Sequence, residues 1–350
     1  MPSQDQQRAA STSITDAWYQ GAAWLYLLAP LSLIYMLILV IRAWLYRLGF
    51  KTSYRSSLPI IVVGNITLGG TGKSPLVAYL VQALQERGYQ PGIVSRGYGA
   101  SIPSTECREV LADSLPEEVG DEPLMLKQAL DCPVFVSPNR KLSVQALEAQ
   151  GCNVVISDDG LQHNALQRDV EVCVYDGQRA LGNGYLLPMG PLRESQSRMK
   201  KLDFQVINGA DDLPGVNSSE PYIRMDLRPG NLLPLKADPG QDGLNQALAL
   251  DKLSGQPVNA VAAIGNPERF FEVLERSGMI VMRHAFEDHH AYSIDDFGFS
   301  ETLPIIMTEK DAVKCRSLGL SDAWYLPVEA ELSANLADLI IEKIEGNSRG

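Results

Sequence analysis

Residues 64–75 read Gly-Asn-Ile-Thr-Leu-Gly-Gly-Thr-Gly-Lys-Ser-Pro, between a β-branched run, Pro59–Gly64 (PIIVVG), and a helical pattern from Pro75 to Arg87. No other stretch narrows the possible folds as far. A strand that empties into a glycine-rich turn and then a helix is the phosphate-binding loop of a parallel sheet. Glycines let backbone N–H groups turn inward on phosphate oxygens, and the helix N-terminus adds the positive end of its dipole. Gly69, Gly70, Thr71 and Gly72 would form the cradle, Lys73 would reach the β- and γ-phosphates, and Ser74 offers a hydroxyl to Mg²⁺. Thr67 stands where the first glycine of G-x-x-x-x-G-K-[ST] belongs. A chance glycine-rich turn is the plainer reading, and the strand–loop–helix context weighs against it.

The remaining text continues that sheet. Gln90–Ser95, Cys132–Ser137, Asn153–Ser157 and Val170–Tyr175 are short apolar runs bounded by turn residues, with helix-like text between most of them. Phe204–Asn208 and Tyr222–Asp226 read as further strands. Such runs predict a parallel sheet covered by helices. Residues 228–256, rich in Gly, Pro, Asp and Asn, read as a linker. A second unit over 257–350 would hold strands at Val258–Ile264, Met279–Ala285, Pro304–Thr308 and Trp324–Val328. Its helices are Pro267–Ser277 and a closing amphipathic Ser333–Ile344. The fold class is therefore α/β. A P-loop NTPase parallel sheet flanked by helices occupies 56–227, after an N-terminal membrane segment (1–55) and before the smaller α/β unit.

From Ala22 to Ile41 twenty residues pass without a charge, about the length of helix that crosses a hydrocarbon core. Trp24, Tyr26, Trp44 and Tyr46 flank the run, where aromatic rings favour the interface. Arg42, Arg47, Lys51 and Arg55 follow it, against Arg8 alone before it, which by the positive-inside tendency turns the bulk of the chain toward the cytosol. A buried core helix is the plain alternative, and the sequence leaves open whether the helix spans or lies in the interface. No basic n-region or small-residue cleavage site marks a signal peptide. The formal charge of −12 argues against broad nucleic-acid binding. Five scattered cysteines without a CxxC pair argue against a disulfide framework or zinc ribbon. No obligate protein partner is evident.

Asn153–His163 (NVVISDDGLQH) ends a hydrophobic strand in Asp158 and Asp159, at the carboxyl edge of the sheet where ligands gather. One of them would hold Mg²⁺, directly or through water; an acidic turn is the alternative. Asp121, in Val119–Pro123 (VGDEP), could accept a proton from a hydroxyl nucleophile, or serve only as a helix N-terminal acid. Glu287–His290 (EDHH) holds His289 and His290 beside Asp288. Without a fourth ligand at metal spacing, a polarising or orienting role is preferred. Leu187–Glu194 (LPMGPLRE) opens a local positive run, Arg193, Arg198, Lys200 and Lys201. That run suits an anionic ligand or a lipid headgroup surface, or is a solvated turn. Glu309, Lys310 and Asp311 are candidates for holding adenine.

Together these motifs resemble one family, the tetraacyldisaccharide 4′-kinases of lipid A biosynthesis. GNITLGGTGKSP, SRGYG (Ser95–Gly99), VGDEP, SDDGLQH, LPMGPLRE, IGNPERF (Ile264–Phe270), FEDHH and TEKD (Thr308–Asp311) occur in that family's order and, with the apolar helix, span nearly the whole chain. That family's loop typically reads NxTxGGTGK[ST]P, so Thr67 ceases to be an anomaly. The resemblance implies Mg²⁺-dependent transfer of the γ-phosphate of ATP to the 4′-hydroxyl of a tetraacylated glucosamine disaccharide 1-phosphate. The product would be lipid IVA, and the acceptor a glycolipid held among membrane lipids. It implies Lys73 and Ser74 on the nucleotide phosphates and Mg²⁺, Asp158 and Asp159 near the metal, and His163, Arg193 and Glu194 lining the site. Asp121 would activate the sugar hydroxyl, paired with His289 from the second unit. Ser74 where Thr is common, and Leu161 where Phe often stands, are conservative departures. Two rival readings are a membrane-docked P-loop ATPase switch acting on a protein, and a ligase resembling dethiobiotin synthetase. The switch predicts hydrolysis without a lipid acceptor; the ligase lacks the anchor and the EDHH segment.

Overall fold

The computed structural model describes residues 14–214, 222–236 and 246–348. Residues 1–13 of the expected membrane segment, Arg8 among them, and 237–245 of the expected linker lie outside the described residues. Strand β1 (Ile60–Gly64) is buried at all five positions, as a strand covered on both faces must be. It pairs in parallel with β5 (Val154–Asp158) on one side and β6 (Val170–Asp176) on the other. Beyond β5 come β2 (Pro91–Ser95), β4 (Val134–Val136) and the short antiparallel β3 (Arg108–Glu109). Beyond β6 come β7 (Phe204–Asn208), β8 (Ile223–Pro229) and antiparallel β14 (Val328–Leu332).

Helices cover both faces. In chain order they are α1 (Ile14–Gln20), α2 (Ala29–Arg47), α3 (Lys73–Glu86), α4 (Pro116–Val119), α5 (Asp121–Ala129) and α6 (Arg140–Ala149), followed by α7 (Pro267–Arg276), α8 (Glu309–Cys315) and α9 (Leu336–Ser348). Helix α3 buries Leu76, Val77, Leu80, Val81, Ala83 and Leu84 on the sheet, each large side chain contributing about 1.5–3 kcal/mol. On the other face Val144 and Leu147 of α6 join Ile60, Val62, Val155 and Leu161. A second sheet runs β11 (Ile280–Ala285), β10 (Pro257–Ala262), β12 (Ile305–Thr308), β13 (Ala323–Leu326) and β9 (Leu233–Pro234). Its pairings are parallel except β13 with β9. Helix α7 seals this sheet with Phe270, Phe271 and Leu274.

The second unit differs from the expected 257–350 at both ends. Strand β9, from the expected linker, pairs with β13. At the other end β14 leaves the second sheet and closes the open edge of β8. Its sequence, Val-Glu-Ala-Glu-Leu, alternates with a period of two, so Glu329 and Glu331 face out and the apolar residues lean inward. Leu336, Ile340 and Ile344 of α9 then join the core beneath α3. The chain therefore crosses between the sheets twice, and the crossings lie side by side where Gly230 N–H donates to Pro327 O at 3.0 Å.

Candidate active site

Between the carboxyl ends of the two sheets lies a cleft of about 1910 Å³. It is lined by Gly69, Gly70, Thr71, Gly72, Lys73, Ser74, Asp121, Asp158, Asp159, His163, Arg193 and His289. Two residues expected in the site do not line it. Thr67 is buried in a strand-like bridge to Leu192, and Leu68 N–H donates to Pro191 O at 2.8 Å. The first loop position thus pins the loop to the LPMGPLRE segment, a task that suits a β-branched residue. Glu194 accepts from Gln162 at 2.9 Å and meets Arg198 at 3.2 Å behind the cleft wall, and burial raises its pKa against the Arg198 charge.

The phosphate loop turns on Gly69 and Gly72, both at positive φ. Gly72 has φ 93°, and a Cβ there would stand 2.6 Å from the Asn208 Nδ2. Lys73 opens α3 and reaches to 4.0 Å from the Asp159 carboxylate. Asp158, the last residue of β5, is buried, and neither carboxylate oxygen has a hydrogen-bond partner among the described residues. Burial, and then the Glu122 charge, push its pKa up to about 7 against the pull of Lys73 and Arg140. Asp159 follows in the left-handed region at φ 44°. Burial would raise its pKa, but Lys73 and Arg193 outweigh that and hold it below the usual carboxylate value. Arg193 donates to its two oxygens at 2.9 and 3.1 Å. The turn is held by Arg140, fully buried, which donates to Ser157 Oγ, Asp158 O and Asp159 O at 3.0, 2.6 and 3.0 Å. His163 stays neutral: burial, and then Arg140 and Arg168, push its pKa down to about 4.

Opposite the loop, His289 Nδ1 lies 3.0 Å from Asp121 Oδ2. Asp121 is the first residue of α5, where Gly120 turns the chain at φ 90°, and His289 sits at φ 64° in the turn after β11. Burial would raise the Asp121 pKa, but the His289 hydrogen bond and the Lys310 charge hold it below the carboxylate norm. The same bond raises His289 above its usual value, against burial and Lys310. Lys310 itself bridges the two units, 3.0 Å from Glu122, 3.2 Å from Asp288 and 3.9 Å from Asp121. Burial opposes its charge, and those carboxylates outweigh it and raise its pKa. Of the adenine candidates, Glu309 and Lys310 line the cleft, and burial pushes Glu309 up to about 7. Asp311 does not: wholly buried, it accepts from Thr308 Oγ1 at 2.6 Å and Ala263 N–H at 3.0 Å. His290 faces away, stacked on Phe286.

The apolar helix α2 lies against this wall. Ser32 Oγ donates to Leu186 O at 3.0 Å, Tyr35 OH donates to Arg193 O at 2.9 Å, and Arg42 donates to Gln162 O. Positions 32, 35 and 42 fall on one helical face. The other face exposes Leu33, Ile34, Leu37, Ile38, Ile41 and Trp44, and only 11 % of the helix's apolar window is buried. Sequence reasoning missed Arg140, which lines the cleft and holds its acidic turn through Ser157, Asp158 and Asp159, remote in the chain. A buried-type arginine opening a helix, against the dipole, was the one available signal for Arg140.

A family model described as tetraacyldisaccharide-1-P 4′-kinase matches residues 24–345. A tetraacyldisaccharide 4′-kinase of Methylobacillus flagellatus is 44 % identical over 329 residues, covering 93 % of this chain and 94 % of the relative. One from Aeromonas hydrophila is 46 % identical over 336 residues, 95 % and 96 % of the two chains. The crystal structure of LpxK from Aquifex aeolicus in complex with ATP superposes with a TM-score of 0.75 at 28 % identity, over 91 % of this chain and 99 % of its own. A match that runs from the apolar helix to the final helix of the fold makes this chain a member of the tetraacyldisaccharide 4′-kinase family.

Proposed function

We propose that the protein transfers the γ-phosphate of ATP to the 4′-hydroxyl of a tetraacyldisaccharide 1-phosphate, at the cytoplasmic surface of the inner membrane. One observation carries the reading: a phosphate loop and an acid–histidine pair face each other across one cleft, beside a helix with an open apolar face. The N–H groups of Gly69–Gly72 and the Lys73 ammonium hold the β- and γ-phosphates. Asp121, kept ionised, accepts the proton of the acceptor hydroxyl as that oxygen bonds to the γ-phosphorus and the bond to the β,γ-bridging oxygen breaks, releasing ADP. His289 orients that carboxylate through its Nδ1, and the same bond favours the protonated imidazole. His163 and Arg193 line the acceptor side.

The donor set fits Mg²⁺. Asp158 presents two buried oxygens without partners, with Asp159 and the Ser74 hydroxyl in the same cleft. Among the described residues no three His, Cys, Asp or Glu side chains form a ready-made cage. Mg²⁺ needs none, since it keeps waters and nucleotide phosphates among its ligands. Bound there it would neutralise charge on the β- and γ-phosphates.

Helix α2 supports an interfacial position over a spanning one. Protein contacts at residues 32 to 42 run along about 15 Å of its length, so lipid reaches only the far side. Labelled ATP, Mg²⁺ and a lipid A precursor test the reading directly. Label in the disaccharide is the expected outcome; label only in free phosphate would favour a P-loop ATPase switch.

A further inference from the structure

The second unit reaches the phosphate loop in two ways that the transfer chemistry does not use, directly at Gly265 and through Asn208 from Arg269. Both come from the loop and first turn of α7. Gly265 presses on the loop so closely that a Cβ there would stand 2.7 Å from Gly70 N. Its carbonyl accepts from Arg179 at 2.6 Å. One turn on, Arg269 donates to Asn208 Oδ1 at 2.7 Å, and Asn208 Nδ2 donates to Thr71 O at 3.1 Å. Asn208 ends β7 and is 2 % exposed, so its amide has no water to fall back on. Only one orientation of that amide serves both neighbours: oxygen toward the guanidinium, nitrogen toward the carbonyl.

We propose that Arg269 and Asn208 form a relay through which the second unit, when closed on the first, sets the conformation of the phosphate loop. They are positioning residues for the kinase reaction argued above, and the inference rests on that reading. The physical step is short. A peptide unit is planar and trans, so a Thr71 carbonyl fixed toward Asn208 sends the Gly72 N–H the opposite way. That N–H belongs to the cradle that receives phosphate. Gly72 has no Cβ to resist the approach, because a Cβ would collide with Asn208. With the second unit withdrawn, the Asn208 amide loses its charged donor and is free to turn, and the loop carbonyl loses its pin. ATP is then held well only when the cleft is closed.

Arg269→Ala and Asn208→Asp, singly and combined, test the relay in the full-length protein. Three readouts are taken: kinase kinetics with labelled ATP and the disaccharide acceptor, equilibrium binding of a fluorescent ATP analogue with Mg²⁺ but no acceptor, and thermal unfolding. Each single change is expected to lower kcat/KM for ATP, and analogue affinity, by about tenfold to hundredfold, the range for a hydrogen bond to a charged group. KM for the lipid should stay unchanged, and the double variant should be no worse than the weaker single one. Arg269→Lys, which keeps one donor, should recover part of the loss. Parental kcat/KM and analogue affinity in Arg269→Ala, or losses that multiply in the double variant, would overturn the relay. So would a lowered unfolding temperature with ATP affinity intact, the signature of a purely structural contact. If Asn208→Asp fails to fold, Arg269→Ala against Arg269→Lys decides alone. Failure of the unaltered protein to label the lipid would sink the kinase reading, while analogue binding would still decide the relay.

Discussion

Asp121→Asn is the sharpest probe of the reacting pair, because it keeps the side chain's shape and an acceptor oxygen for His289 while removing the charge. The proton of the acceptor hydroxyl then has no base within the pair. Loss of a positioned general base costs about 10²–10⁴-fold in kcat, or about 2.7–5.4 kcal/mol of barrier. Lys73 and the loop glycines are untouched, so affinity for ATP should hold. His289 reports the same change independently. Its pKa is raised chiefly by the Asp121 bond, against burial and Lys310, so in the variant it should fall. The sign for stability follows from the two shifts. His289, raised above 6.5, contributes fully below that value and loses its contribution as pH climbs through the raised pKa. Asp121, lowered below 3.8, contributes above that value and loses it as pH drops through the depressed pKa. The variant's stability deficit is therefore largest between about pH 4 and 6.5 and shrinks toward alkaline pH. Transfer of label into the disaccharide in mixed micelles gives kcat, and histidine NMR titration gives the pKa. A kcat within about threefold of the parent, far short of the general-base range, would refute the assignment. So would a His289 pKa that does not fall.

Mg²⁺ affinity should weaken below about pH 7, by up to about tenfold per unit, because Asp158 at about 7 must shed a proton to ligate. Glu122→Gln, which removes a charge raising that pKa, should move the transition to lower pH; calorimetric titration from pH 6 to 8 that gives a flat profile contradicts this. Replacing Ile34 and Leu37, 56 % and 57 % exposed, with Glu should release the protein from vesicles in co-sedimentation, since each change forfeits about 2 kcal/mol of apolar burial in lipid. Undiminished vesicle binding would count against the interfacial helix. Gly265→Ala must displace backbone at Gly70, so ATP affinity should drop with the fold intact; unchanged affinity would show that the units do not close as described.

The elements that build the site were legible where local chemistry is distinctive. A glycine-rich turn after PIIVVG, or two acids after NVVIS, leaves few options for the chain, and those two strands appear within a residue of their expected bounds. The division of the second unit was not legible. Strand β9 is two residues, Leu233–Pro234, too short for any period to show. Reading Trp324–Val328 as one strand ran through Pro327, the point at which the chain changes sheets. Asn208 and Arg269 were invisible for another reason. Their residue types are ordinary, and the amide meets Thr71 and Arg269 across 137 and 61 residues of sequence. Only folding makes them neighbours.

Arg193 joins the apolar helix to the cleft. Its N–H donates to Ile66 O at 2.7 Å, and its guanidinium donates to Asn65 at 3.0 Å and to Asp159. Its carbonyl accepts from Tyr35 OH on the apolar helix. One residue thus links the phosphate loop, an acid of the cleft and the apolar helix. The need for that is geometric. An acceptor with four acyl chains stays in the bilayer, so its hydroxyl reaches only a limited height above the hydrocarbon. A helix on a loose tether would let the height of the γ-phosphate vary by ångströms, and a misplacement of about 1 Å costs about hundredfold in rate. With the helix in the interface, as proposed, its bonds to the cleft wall at Ser32, Tyr35 and Arg42 would convert depth in the membrane into position at the reacting bond.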